Sequence, residues 1–106
     1  MAIEMKSNDK IIDAGSMAAN LSSSVVSLSE VSGYCIHAVY TGAPVGTLFI
    51  EGSCDGSNFS TIASNAISGA SQYFSNQSGV FYPYVRVRYA FTSGTGSLTV
   101  RCSIKG

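Results

Sequence analysis

Strict alternation of apolar and polar residues is the feature that most limits what this chain can fold into. In Tyr84-Val85-Arg86-Val87-Arg88-Tyr89-Ala90-Phe91 and in Leu98-Thr99-Val100-Arg101-Cys102-Ser103-Ile104, the pattern repeats every second residue, the period of an extended strand. Ser93-Gly94-Thr95-Gly96 separates the two runs, which read as a β-hairpin. Pairing Thr92 with Ser97 sets Phe91 opposite Leu98, Tyr89 opposite Val100, Val87 opposite Cys102 and Val85 opposite Ile104. Every inward pair is then apolar or a thiol. A slip of one residue would bring those side chains against Arg and Thr, so this pattern is expected to hold its own register.

The same signal, weaker, recurs upstream. Lys10-Ile11-Ile12-Asp13 is a short strand candidate after an N-terminal arm, and Ser16 to Asn20 reads as a helical turn or a loop. In the serine-rich stretch from Leu21 to Glu30, Val26 and Leu28 alternate with Ser27 and Ser29, which marks a strand with one solvated face. Tyr34–Tyr40 and Thr47–Gly52 read as a second hairpin around Ala43-Pro44-Val45. One face carries Ile36, Ala38, Tyr40, Leu48 and Ile50; the other sets Val39 beside Phe49 and His37 beside Glu51. Ser53 to Asn58 is a turn in which Asp55-Gly56 supplies positive backbone dihedrals. Phe59 to Ile62 is a short strand, Ala63 to Gly69 a loop, Gln72 to Phe74 a strand and Asn76 to Gly79 a turn. Pro83 cannot donate to a ladder and belongs at a strand's first position.

Seven to eight short strands with turn signals between them predict an all-β fold, a single antiparallel β-sandwich of jelly-roll-like form. Residues 1–20 form an N-terminal arm with a short edge strand, and residues 21–106 the sandwich domain. A chain of 106 residues can bury roughly two-thirds of its unfolded surface without a metal or disulfide staple.

Charge narrows the functions. Charged residues make up 11% and formal net charge is zero, so no long-range field points to nucleic acid or to an anionic membrane. Weak self-repulsion also suits a chain that lives in an assembly. No apolar run reaches the roughly 18 residues of a membrane helix, and Met1 to Lys6 lacks the pattern of a secretory leader. Synthesis in a cytoplasm is expected, and there Cys35, Cys54 and Cys102 read as thiols rather than a disulfide framework.

Several segments in order resemble a family of small bacteriophage virion proteins. They are Ser29 to His37; Tyr40-Thr41-Gly42 with Pro44-Val45-Gly46-Thr47-Leu48; Gly52 to Phe59; Tyr84 to Tyr89; and Ser93 to Leu98, closing on Lys105-Gly106. The resemblance covers roughly residues 22–106. Within it Cys35 stands for a usual Ser, His37 for Gln, Cys54 for Asn and Phe59 for Trp. The last two changes remove groups that often bind sugar. The resemblance implies a structural or accessory part of a phage particle, located in the virion.

Candidate chemistry is sparse. Cys35 and His37 share a strand face and could approach Cys54 and Cys102 as zinc ligands, but Cys102 belongs to an apolar face where a thiol packs as a small hydrophobe. No metal and no cofactor is expected. The single His has no indicated nucleophile and orienting group, and Ser93-Gly94-Thr95-Gly96 lacks the Lys and helix of a phosphate loop, so no enzyme activity is expected. The hairpin register sets Arg88 opposite Arg101 and Arg86 opposite Ser103. Like charges placed so call for compensation from Glu51, Asp55 or another subunit. Tyr73, Phe81, Tyr82, Val39 and Phe49 join Arg86, Arg88 and Arg101 as candidate interface residues. The expected function is a non-enzymatic virion subunit that decorates a capsid or tail, with other virion subunits as partners and homo-oligomers. Alternatives are a glycan-binding module using Ser53–Asn58 and Ala43–Val45, and a head-to-tail or tail-tube component.

Overall fold

The fold is given by a computed structural model that describes residues 5–28, 33–78, 80 and 82–105. Nine strands follow in order: β1 Met5–Ser16, β2 Leu21–Ser22, β3 Val26–Ser27, β4 Gly33–Gly42, β5 Val45–Ser53, β6 Ser60–Ser68, β7 Ser71–Ser78, β8 Tyr84–Ser93 and β9 Gly96–Lys105. All ladders are antiparallel. Sheet I has the order β1-β9-β4-β7, and sheet II the order β2-β8-β5-β6 with β3 also on β8. With β2 and β3 taken as one interrupted strand, this is the connectivity of a jelly roll.

The strand count exceeds the expected seven to eight because Leu21–Ser27 is broken in two. Ser23 donates its own N–H to Val87 O at 2.8 Å and accepts Val87 N–H on its side-chain Oγ at 2.9 Å. A hydroxyl thus takes the place of a carbonyl in the ladder, and regular pairing stops there. Other expectations are corrected in length. Ala63–Ser68 is the second half of β6 rather than a loop, with Gly69 in the turn that follows; Asn76–Ser78, expected as a turn, is the end of β7; and the first strand runs from Met5 to Ser16 rather than over four residues.

The larger correction concerns pairing. Neither predicted hairpin exists, because β4 and β9 lie in sheet I whereas β5 and β8 lie in sheet II. Tyr89 faces Leu48 and Leu21 in register, and Val100 faces Ala38 and Ile12. The inward residues are nonetheless those that alternation selects. Ile36, Ala38, Tyr40, Leu98, Val100 and Cys102 of sheet I close on Leu48, Ile50, Val85, Val87 and Tyr89 of sheet II, all buried. Phe91 continues the inner row of β8 but stands at the rim, 39% exposed. Met17, from the turn after β1, is fully buried in this core, and its N–H donates to Gly96 O at 2.9 Å.

Two of the corners at which the chain crosses between sheets lie against each other. One is Gly42-Ala43-Pro44, between β4 and β5; the other is Gly94-Thr95, between β8 and β9. Ala43 N–H donates to Thr95 O at 2.9 Å. Gly94 has φ +80°, and a Cβ there would collide with the Ala43 carbonyl. Among consecutive strands the one hairpin in the described residues is β5–β6, closed by the turn at Asp55-Gly56 as predicted, with Gly56 at φ +79°.

These corners make a test. Gly69 also has a positive φ, +88°, but nothing lies within 4 Å of a Cβ there. Gly69→Ala should therefore cost only the left-handed strain of about 1–2 kcal/mol. Gly94→Ala should cost clearly more, through the added backbone clash. Urea unfolding of both variants measures the difference, and equal losses would mean the corners do not interlock.

Candidate interaction face

Alternation along β5 and β8 decides what the outside of sheet II carries. With Leu48 and Ile50 inside, Phe49 and Glu51 point out; with Val85, Val87 and Tyr89 inside, Arg86 and Arg88 point out. The ladder then sets Glu51 beside Arg86 and Phe49 beside Arg88. Arg86 Nε donates to Glu51 Oε1 at 2.8 Å, and Arg88 Nε donates to Glu51 Oε2 at 3.1 Å. One carboxylate is held by two guanidinium groups.

Each guanidinium is also capped by an aromatic ring. Arg86 lies over Phe59 at 4.1 Å from the ring centroid, and Arg88 over Phe49 at 4.4 Å, within the range of cation–π attraction. The row Phe59, Arg86, Glu51, Arg88, Phe49 is therefore packed as a unit. Glu51 is only 5% exposed, whereas the side chains of Arg86 and Arg88 are 30% and 38% exposed. Ten guanidinium N–H groups face one carboxylate, so the row retains donors and one net positive charge.

Burial alone would raise the Glu51 carboxyl, but the hydrogen bonds and charges of Arg86 and Arg88 together outweigh it and hold the group below its ordinary value. Beside this row, the β5–β6 turn is held by Asp55. Its Oδ1 accepts from Ser57 N–H and Asn58 N–H, both at 2.8 Å, and from Ser53 Oγ–H at 2.9 Å; Oδ2 accepts from Asn58 Nδ2–H at 2.8 Å. These donors, the Asn58 and Ser57 amides foremost, hold the Asp55 carboxyl well below the usual carboxylate range.

The sequence-selected interface residues separate. Arg86, Arg88 and Phe49 come together on sheet II, while Arg101 and Val39 lie on the outer face of sheet I. Arg101 sits in register with Lys10 and His37, not with Arg88, so the predicted Arg88–Arg101 opposition is replaced by Arg88 beside Phe49. Tyr73 and Tyr82 pack against the core, and Tyr82 shares a hydroxyl contact of 2.8 Å with Tyr34. Phe81 lies outside the described residues. Glu51 is the acceptor the arginines called for, but its expected partner His37 is on the other sheet. There His37 Nε2 lies 2.8 Å from Gln72 Oε1, and the ring meets Phe74 edge-on at 5.4 Å.

Phe59, the cap on Arg86, went unrecognised because its contact spans twenty-seven positions and rests on the bend of the Asp55 turn. The candidate metal ligands do not converge either. Cys35 and His37 are on the outer side of sheet I, Cys102 is buried between the sheets and Cys54 is exposed at the β5–β6 turn. Among the described residues no three His, Cys, Asp or Glu form a group able to hold a metal.

Solved structures share this architecture. The SPBc2 prophage-derived protein YomS superposes with a TM-score of 0.71 at 8% identity, over 100% of this chain and 96% of YomS. The PBSX exported protein XepA gives 0.62 at 15% identity, over 97% of this chain; the chain spans 36% of XepA. PirA gives 0.60 at 10% identity, over 93% of this chain and 89% of PirA. No family model and no curated protein sequence matches the chain. Two of these neighbours are phage-derived, in line with the resemblance carried by residues 22–106. At such identities the likeness is one of fold.

The clamp predicts an acid-sensitive contribution to stability. Because the folded Glu51 carboxyl titrates below its unfolded value, its stabilisation is complete at neutral pH and is lost as pH falls through about 4 and below. Glu51→Gln should cost about 1–3 kcal/mol at pH 7, less than a fully enclosed pair because both arginines stay partly solvated. The deficit should shrink at pH 3. Urea unfolding of both proteins at the two pH values checks this; a deficit independent of pH would contradict it.

Proposed function

We propose that this chain is a non-enzymatic phage virion structural protein that docks on a capsid or tail through the outer face of sheet II. The observation that carries this reading is the Phe59-Arg86-Glu51-Arg88-Phe49 row. Its arginines are held in place before any partner arrives, so little side-chain entropy is lost on binding. Its flat rings and guanidinium groups are the residue types enriched at interface centres. A shared carboxylate lowers the charge that must be desolvated, while the surplus N–H donors remain for carbonyl or carboxylate oxygens on another subunit.

The fold of prophage-derived neighbours supports a phage setting, and a low net charge supports life in a crowded assembly. On a repetitive lattice, modest affinity per copy suffices when copies bind side by side. The lone His is engaged by Gln72 and Phe74, neither of which is a nucleophile, which supports a non-catalytic role. The partners in this reading are other virion subunits, and the protein resides in the particle.

A second reading draws on a cleft of about 320 Å³ beside the Asp55 turn, lined among others by Cys54, Asn58, Thr61, Ile62 and Tyr82. Its volume lies at the small end for ligand sites, and a Tyr ring with hydroxyl and amide neighbours suits one sugar ring. Saturable binding on a glycan array, abolished by Tyr82→Ala, would support that module instead.

Docking is tested by co-sedimentation with particles that lack the protein. Arg88→Glu and Phe49→Ala should each reduce bound protein about tenfold or more, the loss expected at a hot spot. Arg101→Glu, on sheet I, should leave binding unchanged, and thermal melts confirm that each variant is folded. Undiminished binding by Arg88→Glu would refute docking through this face.

A further inference from the structure

A sandwich has four open edges, and each is a row of backbone donors and acceptors that invites another strand unless something blocks it. Three edges here carry a block. Strand β1 contains Lys6, Asp9, Lys10 and Asp13, and its ladder to β9 is broken by three register shifts. Strands β2 and β3 are two residues each. Strand β6 bulges where its ladder shifts between Ile50 and Glu51, so that Ile62 is an extra residue.

The fourth edge, β7, has none of these devices. Its sequence Ser-Gln-Tyr-Phe-Ser-Asn-Gln-Ser contains no charge, no Pro and no Gly. Its pairing with β4 runs unbroken from Gly33↔Ser78 to Tyr40↔Ser71. Among the described residues no strand pairs with its outer edge. Phe74 projects from its outer face, at 57% the most exposed large hydrophobic side chain among the described residues.

We propose that β7 pairs antiparallel with β7 of a second copy, joining two sheets I into one continuous sheet across a two-fold axis. The occupant is a second copy because the strand is complementary to itself. With the axis through Phe74, Phe74 meets Phe74 of the other copy, Gln72 meets Asn76, and Tyr73 meets Ser75. The outer row is then an aromatic pair flanked by amide pairs, both favourable across a ladder. The absence of charge matters twice. Self-pairing meets no like-charge repulsion, and a charged foreign strand would find no counter-charge on β7. A two-fold axis also makes the contact isologous and closed, so it yields a dimer rather than a fibre.

This pairing lies on sheet I and leaves the Arg86–Arg88 face of sheet II open. Docking and self-association can therefore fail separately.

Sedimentation equilibrium of the full chain, from micromolar to submillimolar concentration, tests the proposal. The wild type should reach a two-chain mass. Phe74→Lys, which sets like charges face to face and removes the ring pair, should weaken the association by roughly tenfold or more. Circular dichroism verifies that the variant is folded. Phe74→Cys in a Cys54→Ser background should oxidise to a covalent dimer, because directly opposed strand residues have the Cα spacing a disulfide needs. Ser64→Cys on β6, in the same background, should not. A wild type that remains a single chain throughout, a Phe74→Lys variant that dimerises as tightly, or equal cross-linking at Ser64 would each overturn the proposal.

Discussion

The structure depends on one constraint: two rows of apolar side chains, one from each sheet, must close on each other with no water between them. Ile36, Ala38, Tyr40, Leu98, Val100 and Cys102 on one side meet Leu48, Ile50, Val85, Val87 and Tyr89 on the other. Burial of rows like these is the main favourable term in folding. It forces the outer rows into being as well. Because side chains alternate, every buried residue commits its neighbours to the outside, and the Arg86-Glu51-Arg88 row is the outward product of burying Val85, Val87 and Ile50.

Polar groups caught near this core are satisfied locally. Ser23 Oγ stands in for a carbonyl in the β8 ladder, and Tyr89 Oη–H donates to Val45 O at 3.0 Å. The Tyr34 hydroxyl is raised above its ordinary value by burial and by its contact with Tyr82, so it stays protonated. Glu51 is the exception that remains charged, because two guanidinium groups offset what burial costs it. A single buried carboxylate thereby turns two flexible arginines into fixed parts of the surface, which links the energetics of the core to the surface read here as functional.

The two outer faces differ in kind. That of sheet II presents paired charge capped by rings, suited to recognising polar groups on a partner. That of sheet I presents Val39, Phe74 and the His37–Gln72 pair near an unprotected edge, suited to backbone pairing. In the two proposals, the face of sheet II would meet a lattice and the β7 edge a second copy of the chain.

Most of the inside was legible in the sequence and most of the pairing was not. Alternation alone marked Val85, Val87, Tyr89, Val100 and Cys102 as inward, since the two-residue period belongs to each strand by itself. It grouped Ile36, Ala38, Tyr40, Leu48 and Ile50 on one face, without saying that this face rather than that of Val39 and Phe49 is the buried one. Glu51 was one of three acceptors expected for the arginines, beside Asp55 and another subunit, but that expectation came from an Arg88–Arg101 opposition that the ladders do not contain. Alternation could not tell a hairpin from a corner: whether Val87 faces Cys102 within one ladder or across the core, the same residues are buried. That choice was made by contacts far apart in the chain, chiefly the seating of Gly94 against Ala43 and the hydrogen bond from Ala43 to Thr95. The stacking of Phe59 on Arg86 and the parting of Arg88 from Arg101 follow from it. Which side of each strand is oily is written locally; which strand lies beside it is settled only when the whole chain closes, because ladder hydrogen bonds between distant segments carry no signature in either segment alone.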